Sequence, residues 1–463
     1  MYTVFVSEKP VIRRNEIMKK IITVGLSFVV AAGMLAGCSK PAEPAETAAA
    51  DGSGEKRVLK FDSFSGGNGE EVFTKLAEAF EKANPDVDVQ LRFEKDLPSV
   101  LNKENAKGEY SDVVYFNLGQ PSQYTETQLN TKEVMDITDV VDSIDIDPSY
   151  KDSSIVKYYG DDKAYLLPLK TTPAGFFYNT ELIGEGKKYE LPTTWDEFFE
   201  LGKKAKADGI SLFTYPTNGY FDNTLNALLK EVGGEEFLSD VLNYDPEAWS
   251  SENGKKVVDR LAQLVSPENL FADTVSNANS KDGFTINQQA VIDGKALFMP
   301  NGDWIVGEMA DTTPEDFHWG LMPLPAEEEG GERFVGSMTE QVWIPAQAKN
   351  ADDAKDFLKF IYSDEGAEIM QEYGNIVPTT DFAERVDNME DGYTKEFFSV
   401  YKDATAALGR FAPYNTDQLP DFDRAKTVFG QIDDLATGKI TAEDYQKSLT
   451  DAWKKLAENP VEG

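Results

Sequence analysis

Few residues in this sequence could carry nucleophilic or metal-based chemistry, because it contains one cysteine, Cys38, and one histidine, His318. Catalytic triads pair a nucleophile with a histidine, and zinc sites combine several cysteines and histidines. A single cysteine also leaves no disulfide within the chain. His318 lies in a strand-like approach to Gly320, and we interpret it as a structural histidine at or near the surface. The sequence therefore predicts no metal site and no cofactor.

Carboxylates are abundant, with 82 Asp and Glu residues against 45 Lys and Arg residues and a formal net charge of −37. This acidity argues against nucleic acid as a partner, because phosphate binding needs clustered basic residues. Two carboxylates form the catalytic pair of glycosidases, so a secreted glycosidase stays open as an alternative. With 41% hydrophobic and 11% aromatic residues, the 463-residue chain can build two domains with their own cores.

The only cysteine follows a segment with the layout of a secretory signal. Two lysines at 19–20 precede fifteen apolar or small residues at 21–35, and small residues at 36–37 stand directly before Cys38. The apolar run is shorter than the ~20 residues that a membrane-spanning helix needs. The pattern therefore favours a cleaved signal over a membrane span.

The stretch that ends at Cys38 resembles the lipobox of bacterial lipoproteins. This resemblance implies that residues 1–37 are a signal peptide, whose true start is Met18, and that Cys38 is acylated after cleavage. Residues 38–57 are rich in Pro, Ala, Glu, Gly and Ser and predict a flexible tether. Acyl chains on Cys38 would anchor the protein to the outer face of the bacterial cell membrane.

The folded part begins with alternating strand and helix signals. Residues 58–61 predict a strand, a Gly-rich turn follows at 65–69, and an amphipathic helix stops before Pro85. Residues 87–93 alternate as a second strand, and residues 112–116 predict a third, buried one. Strand–helix–strand units of this length predict a parallel sheet with right-handed crossovers.

The middle of the chain predicts a crossing between domains. A Pro-rich extended segment runs into an aromatic, β-rich stretch at 165–182. A helix then begins after Thr194, with Glu197 completing a capping box. Further helices are predicted at 352–373, at 422–436 and after Thr441, where Asp444 completes the cap.

The order of these motifs resembles the family-1 extracellular solute-binding proteins of ABC importers, the group that includes maltose-binding protein. The resemblance extends from Val58 nearly to the end of the chain. Six segments carry it: LPL at 167–169, FYNTEL at 177–182, PTTWDEF at 192–198, NGDW at 301–304, GLMPLP at 320–325 and AKDFLKF at 354–360.

The resemblance implies an α/β, two-lobed, periplasmic-binding-protein-like fold with hinge-linked lobes and an interlobe cleft. Lobe one would comprise residues 58–171 and 326–378, and lobe two residues 172–325 and 379–463. Hinge closure would bury the ligand in the cleft, and the transporter would recognise the closed state.

Sugar binding needs flat aromatic rings for C–H faces and carboxylates or amides for hydroxyl groups. Trp304 is the leading aromatic, because the family's Gly-x-Trp tryptophan tends to stack on sugar. Asp303 stands beside it, whereas Asp62, Phe64 and Asn117 lie at strand ends that often border such clefts. The ligand-binding candidates are Trp304, Asp303, Asn117, Glu340, Asp62, Phe64, Tyr215 and Trp343. Tyr220 and Phe221 could extend the aromatic surface, and Arg410 and Phe411 are weaker candidates.

The sequence thus predicts a lipid-anchored, monomeric receptor that delivers a sugar to an ABC permease and is not an enzyme. Residues 176–182 and 337–341 most resemble the subgroup that binds N-acetylhexosamines or related oligosaccharides. A polyamine receptor is the main rival, because an acidic cleft would suit a polyamine.

Overall fold

The structure, a computed structural model of the chain, describes residues 56–65, 70–120, 122–155, 161–281 and 283–460. The signal peptide at 1–37, Cys38, most of the tether and the turn at 66–69 lie outside the described residues. Among the helices that are described, none is both long and apolar enough to span a bilayer.

The described strands form one mixed sheet rather than a purely parallel one. Their order is β2-β1-β3-β8-β4-β6-β5, with β7 paired to β4 and β9 paired to β8. The strands are β1 (Arg57–Phe64), β2 (Val87–Glu94), β3 (Val113–Tyr115), β4 (Leu167–Asn179), β5 (Ser211–Phe213), β6 (Ala296–Gly302), β7 (Trp319–Met322), β8 (Phe334–Trp343) and β9 (Thr405–Ala407).

Parallel pairing is found where strand–helix–strand units predicted it, between β1 and β2 and between β1 and β3. Strands β5 and β6 are also parallel. The long strands β4 and β8 instead run antiparallel to each other and to their neighbours β6 and β3. The sheet is therefore parallel towards its two ends and antiparallel in the middle.

Helices cover both faces of this sheet. They are α1 (Glu71–Ala83), α2 (Leu97–Asn105), α3 (Tyr124–Asn130), α4 (Thr138–Val141), α5 (Pro148–Lys151), α6 (Trp195–Ala207), α7 (Phe221–Leu242), α8 (Glu252–Leu264), α9 (Thr274–Ala278), α10 (Gly283–Ile292), α11 (Ile305–Glu308), α12 (Ala351–Ile361), α13 (Asp364–Glu372), α14 (Phe382–Asp387), α15 (Tyr393–Phe398), α16 (Ile432–Ala436) and α17 (Ala442–Ala457). Short 3-10 turns occur at Asp152–Ser154, Asn218–Tyr220 and Ser399–Lys402.

Local signals explain several helix limits. Both predicted capping boxes are present, Thr194 with Glu197 before α6 and Thr441 with Asp444 before α17. The predicted helix at 352–373 is instead two helices, because the Ser363 hydroxyl accepts a hydrogen bond from the Gly366 N–H and starts α13. Within the region predicted as a helix at 422–436, the chain forms a π-helical turn at Lys426–Gly430 and then α16.

Two large hydrophobic cores lie along the sheet. Core one surrounds β1 and α1 and includes Phe61, Leu76 and Phe357. Core two surrounds α6 and α7 and includes Phe198 and Leu229. Two smaller clusters lie around α2 with α3 and around β6 with β7.

The strands β4 and β8 link the two large cores. Leu167 and Leu169 at the start of β4 are in core one, whereas Phe176 near its end is in core two. Strand β8 runs the opposite way, from Phe334 in core two to Val342 in core one. The middle of this strand pair is therefore the natural place for a hinge.

Candidate functional site

An ion pair occupies the middle of the β4–β8 strand pair. Lys170 and Glu340 are directly opposite each other, and the Lys170 Nζ lies 3.6 Å from the Glu340 Oε1. The Tyr115 hydroxyl, from β3, donates a hydrogen bond to the Glu340 Oε2. Charged groups inside a strand pair are costly unless they are paired and hydrogen-bonded, as these two are. Their place between two apolar cores makes the pair a candidate for function.

Trp304 lies on the same face of the sheet as this ion pair. Strand β6 ends at Gly302, which pairs with Ala174 on β4. Ala174 and Lys170 are four residues apart on one strand, so their side chains share a face. A Cβ atom on Gly302 would lie 2.2 Å from the Trp304 Cζ3, so the indole ring covers the Gly302 Cα and only glycine fits there.

Trp304 is the exception among the six tryptophans of the chain. It is half-buried, whereas the other five are at most 1% exposed: Trp195, Trp249, Trp319, Trp343 and Trp453. The half-buried Tyr220 meets its ring edge to face at 6.5 Å and donates a hydrogen bond of 3.1 Å to the Glu308 Oε1. Trp304 and Tyr220 thus form a partly open aromatic platform.

Asp303 places a carboxylate beside the platform. Burial raises the pKa of Asp303, and Glu340 raises it further, whereas Lys170 and the Trp304 N–H lower it. These effects show that Asp303, Glu340 and Lys170 are within electrostatic reach of one another. Among the described residues, no Lys, Arg or His side chain forms a salt bridge with Asp303. Three of the sequence-predicted residues, Asp303, Trp304 and Glu340, are therefore brought together.

Three other candidates lie away from this cluster. Asp62 is 3% exposed, and its Oδ1 accepts a hydrogen bond of 2.8 Å from the Arg92 Nε. Trp343 is buried in the cluster around α2 and α3. Tyr215 is buried in core two and donates a 2.7 Å hydrogen bond to the Asp433 Oδ1.

The last two candidates lie at the ends of β1 and β3. The Asn117 Oδ1 accepts a 2.9 Å hydrogen bond from the Gln341 N–H, which ties the loop after β3 to β8. Phe64 is half-buried and packs edge to face on Phe116 at 5.9 Å. Both contacts are structural, and a ligand-binding role for either residue stays a prediction.

Sequence analysis did not propose Lys170 and Tyr115 as binding residues. Lys170 did carry a signal, because it is the only charged residue in the otherwise apolar or small stretch at 164–177. Its pairing with Glu340 depends on the register of two segments far apart in sequence, which no local pattern reveals.

The chemistry of the cluster is that of binding. An aromatic face, two carboxylates and an ammonium group suit a ligand with both apolar C–H faces and hydroxyl groups. Among the described residues, no group of three or more His, Cys, Asp and Glu side chains is arranged to hold a metal ion.

Known proteins share this fold. The chain has a TM-score of 0.66 to a solved family-1 extracellular solute-binding protein from Bifidobacterium longum subsp. infantis, at 21% identity, over 87% of this chain and 100% of that one. The predicted two-lobed α/β fold is confirmed by this likeness.

Two curated relatives are similar in sequence. The chain is 28% identical over 235 residues to the diacetylchitobiose-binding protein NgcE of Streptomyces coelicolor, which covers 48% of this chain and 46% of that relative. The matched part thus spans about half the length of that relative. The chain is also 23% identical over 464 residues to the melibiose/raffinose/stachyose-binding protein MelE of Bacillus subtilis, and this match covers 95% of this chain and 97% of MelE.

A family model described as bacterial extracellular solute-binding protein matches residues 75–396, which is more than half of the chain. Together with the shared fold, this match gives the chain its family. The protein belongs to the bacterial extracellular solute-binding proteins.

Proposed function

We propose that this protein binds a sugar between its two lobes and delivers it to an ABC permease. The observation that carries the proposal is the half-buried Trp304 beside Asp303, Glu340 and Lys170. Sugars offer flat C–H faces for an aromatic ring and hydroxyl groups for charged partners. This cluster offers both kinds of contact.

The available contacts suffice for useful affinity. A hydrogen bond to a charged group contributes ~1.5–3 kcal/mol, and a micromolar dissociation constant needs ~8 kcal/mol. Three charged groups and one stacked ring together reach that range before the cost of closure.

The named ligands of the relatives support an oligosaccharide. One relative is a diacetylchitobiose-binding protein, and another binds melibiose, raffinose and stachyose. We therefore propose a ligand of two to four sugar units, with an N-acetylhexosamine-containing disaccharide as the first choice.

Lobe closure would occur about the β4–β8 pair. We retain the sheet halves around β1 and around β5 as lobe one and lobe two. Phe382, Val386 and Phe398 pack in core one, which favours a third crossing between the lobes close to β9 rather than at 379. Closure would bring the Trp304 platform of lobe two towards the end of β1 and the loop after β3 of lobe one.

We further propose that Cys38 is lipidated and that residues 38–57 tether a monomeric receptor to the outer face of the membrane. The support is the sequence pattern at 19–38 and the extracellular character of the family. Labelling of Cys38 by a fatty-acid analogue in a bacterial host, lost in Cys38→Ser, would test this step.

Isothermal titration calorimetry of residues 39–463 tests the sugar proposal. The panel should contain diacetylchitobiose, raffinose, maltotriose and spermidine. We expect one saccharide to bind and Trp304→Ala to weaken it by about thirtyfold, since a central aromatic contact contributes ~2 kcal/mol. Tyr189→Phe, distant in core two, is the matched aromatic control.

The same titration separates the rivals. Binding heat with spermidine but with no saccharide would contradict the sugar proposal and favour a polyamine receptor. Chromatography of the panel sugars after incubation with the protein would detect hydrolysis, and release of shorter sugars would favour a glycosidase instead.

A further inference from the structure

A groove lies on the opposite face of β8 from Glu340. Ser337, Thr339 and Gln341 line its floor, since alternate residues of a strand point to opposite faces. One wall comes from the loop after β3 and from α3, and the other wall comes from the end of α7 and residues 408–413. Leu129 on the first wall belongs to the cluster around α2 and α3, whereas Leu238 and Leu242 on the second wall belong to core two.

Glu126, on α3, points into this groove with one oxygen unsatisfied. Glu126 is 9% exposed. The Oε1 accepts a 2.6 Å hydrogen bond from the Gly119 N–H, whereas the Oε2 is buried without a hydrogen-bond partner. An orphaned carboxylate oxygen costs free energy in this state, and a donor that reaches it in another state of the protein would recover that cost.

Arg410 is presented from the facing wall by a firmly held loop. The Asn226 Nδ2 donates a 3.0 Å hydrogen bond to the Gly409 carbonyl, and the Ala412 N–H donates a 2.8 Å hydrogen bond to the Leu242 carbonyl. Phe411, the next residue, stacks on Tyr244 at 6.2 Å. Gly409 has a φ of +143°, a conformation that side chains rarely adopt.

This loop holds Arg410 against the loop that binds Glu126. A Cβ atom on Gly119 would lie 3.7 Å from the Arg410 Nη1. Burial raises the pKa of Glu126 on balance, whereas the Gly119 N–H and the charges of Arg424 and Arg410 act to lower it. Among the described residues, Glu126 forms a salt bridge with neither arginine in this structure.

We propose that Glu126 and Arg410 pair across the groove when the lobes close and that this latch sets the balance between open and closed states. The pair joins the two walls, so its energy counts only in states that bring them together. The inference rests on ligand-driven lobe closure, as proposed above.

A double-mutant cycle tests the latch in residues 39–463, using Glu126→Gln, Arg410→Ala and the double variant. Gln keeps an oxygen for the Gly119 N–H, so the loop keeps its hydrogen bond. We expect each single variant to weaken sugar binding about tenfold and the double variant to be no weaker than either. Glu235→Gln, in the same groove but paired with Lys230, is the matched control and should bind as wild type.

A distance measurement without sugar makes the test independent of the ligand. Cys38 is the only cysteine, so residues 39–463 accept unique spin labels at Lys107→Cys and Lys256→Cys, two exposed positions on opposite lobes. We expect Glu126→Gln and Arg410→Ala to shift the label distances towards the open form. Additive losses of affinity, or unchanged distances in both variants, would overturn the latch. A wild-type protein that binds no sugar but shows the distance shift would contradict the proposed ligand and leave the latch standing.

Discussion

Asp62 and Asp303 lie near the ends of strands β1 and β6, yet their surroundings differ sharply. Asp62 is 3% exposed and is held by Arg92, and it also accepts a hydrogen bond from the Ser111 hydroxyl. Asp303 is half-buried beside an aromatic ring, and no described cation forms a salt bridge with it. Asp62 is thus held by an arginine and a hydroxyl group, whereas Asp303 has no salt-bridge partner among the described residues.

The difference teaches that a polar residue at a strand end is only a potential contact. Arg92 lies on β2, directly beside Asp62 in the parallel register of β1 and β2. It also holds Glu104 at 2.7 Å, so a three-residue charge network occupies this end of the sheet. Within the described part of the chain, the cation that acts on Asp303 is Lys170, which already pairs with Glu340. The charged partners near each aspartate, rather than its position at a strand end, therefore decide its role.

Removing the structural carboxylate should have the largest effect on stability. In Asp62→Ala, Arg92 loses one of its two carboxylate partners in a mostly buried place. We expect the free energy of unfolding to fall by ~2 kcal/mol, less than for a fully buried pair because Arg92 is partly exposed. Urea denaturation measures this change.

Sugar affinity provides the contrast for that variant. It should change by less than about twofold, because Asp62 lies away from the platform. Glu104→Ala, which removes the more exposed partner of Arg92, is the matched control and should cost less stability. A large loss of affinity in a still-folded Asp62→Ala protein would remove the distinction between the two aspartates.

In contrast to Asp62→Ala, Asp303→Asn should raise stability at neutral pH and weaken sugar binding. Burial raises the pKa of Asp303 above its ordinary 3.8. In the pH range between the unfolded and the folded pKa, the folded state therefore keeps a proton that the unfolded state has lost. Stability from this group therefore falls as the pH rises through the window above 3.8 and stays lower at neutral pH. We expect Asp303→Asn to melt at a higher temperature than wild type at pH 7 and at the same temperature below pH ~3.5.

Sugar affinity should nevertheless fall about tenfold in Asp303→Asn, since a charged hydrogen bond is replaced by a neutral one. Glu308→Gln, which keeps a partner for Tyr220, serves as the control beside the same platform. Loss of stability together with unchanged affinity would assign Asp303 a structural role like that of Asp62.

Much of the fold was accessible from the sequence because its signals are local. The helix α1 buries Val72, Phe73, Leu76 and Phe80 at helical spacing, and Thr194 and Thr441 mark helix starts through their own side chains. Strand β9 was not predicted, since three residues give no periodicity and its existence depends on pairing with β8. The break at Ser363 was missed because the apolar spacing continues across it.

Part of the candidate cluster was accessible from the sequence for the same reason. Asp303 and Trp304 are adjacent in one motif, so a single stretch of sequence places both. Lys170 and Glu340 meet only through the register of β4 and β8, and Arg92 reaches Asp62 only through the register of β1 and β2. Sequence patterns identify strands well, but they do not fix which residues of distant strands become neighbours.

Acrylamide quenching of tryptophan fluorescence, with and without saturating sugar, tests the central claim most directly. Trp304 is the only tryptophan that is not almost fully buried, so it should dominate quenching of the free protein. We predict that bound sugar lowers the quenching constant to that of the Trp304→Phe variant, whose own quenching does not respond to sugar. A protein that binds sugar while the quenching of Trp304 stays unchanged would show that the ligand lies elsewhere and would contradict this account.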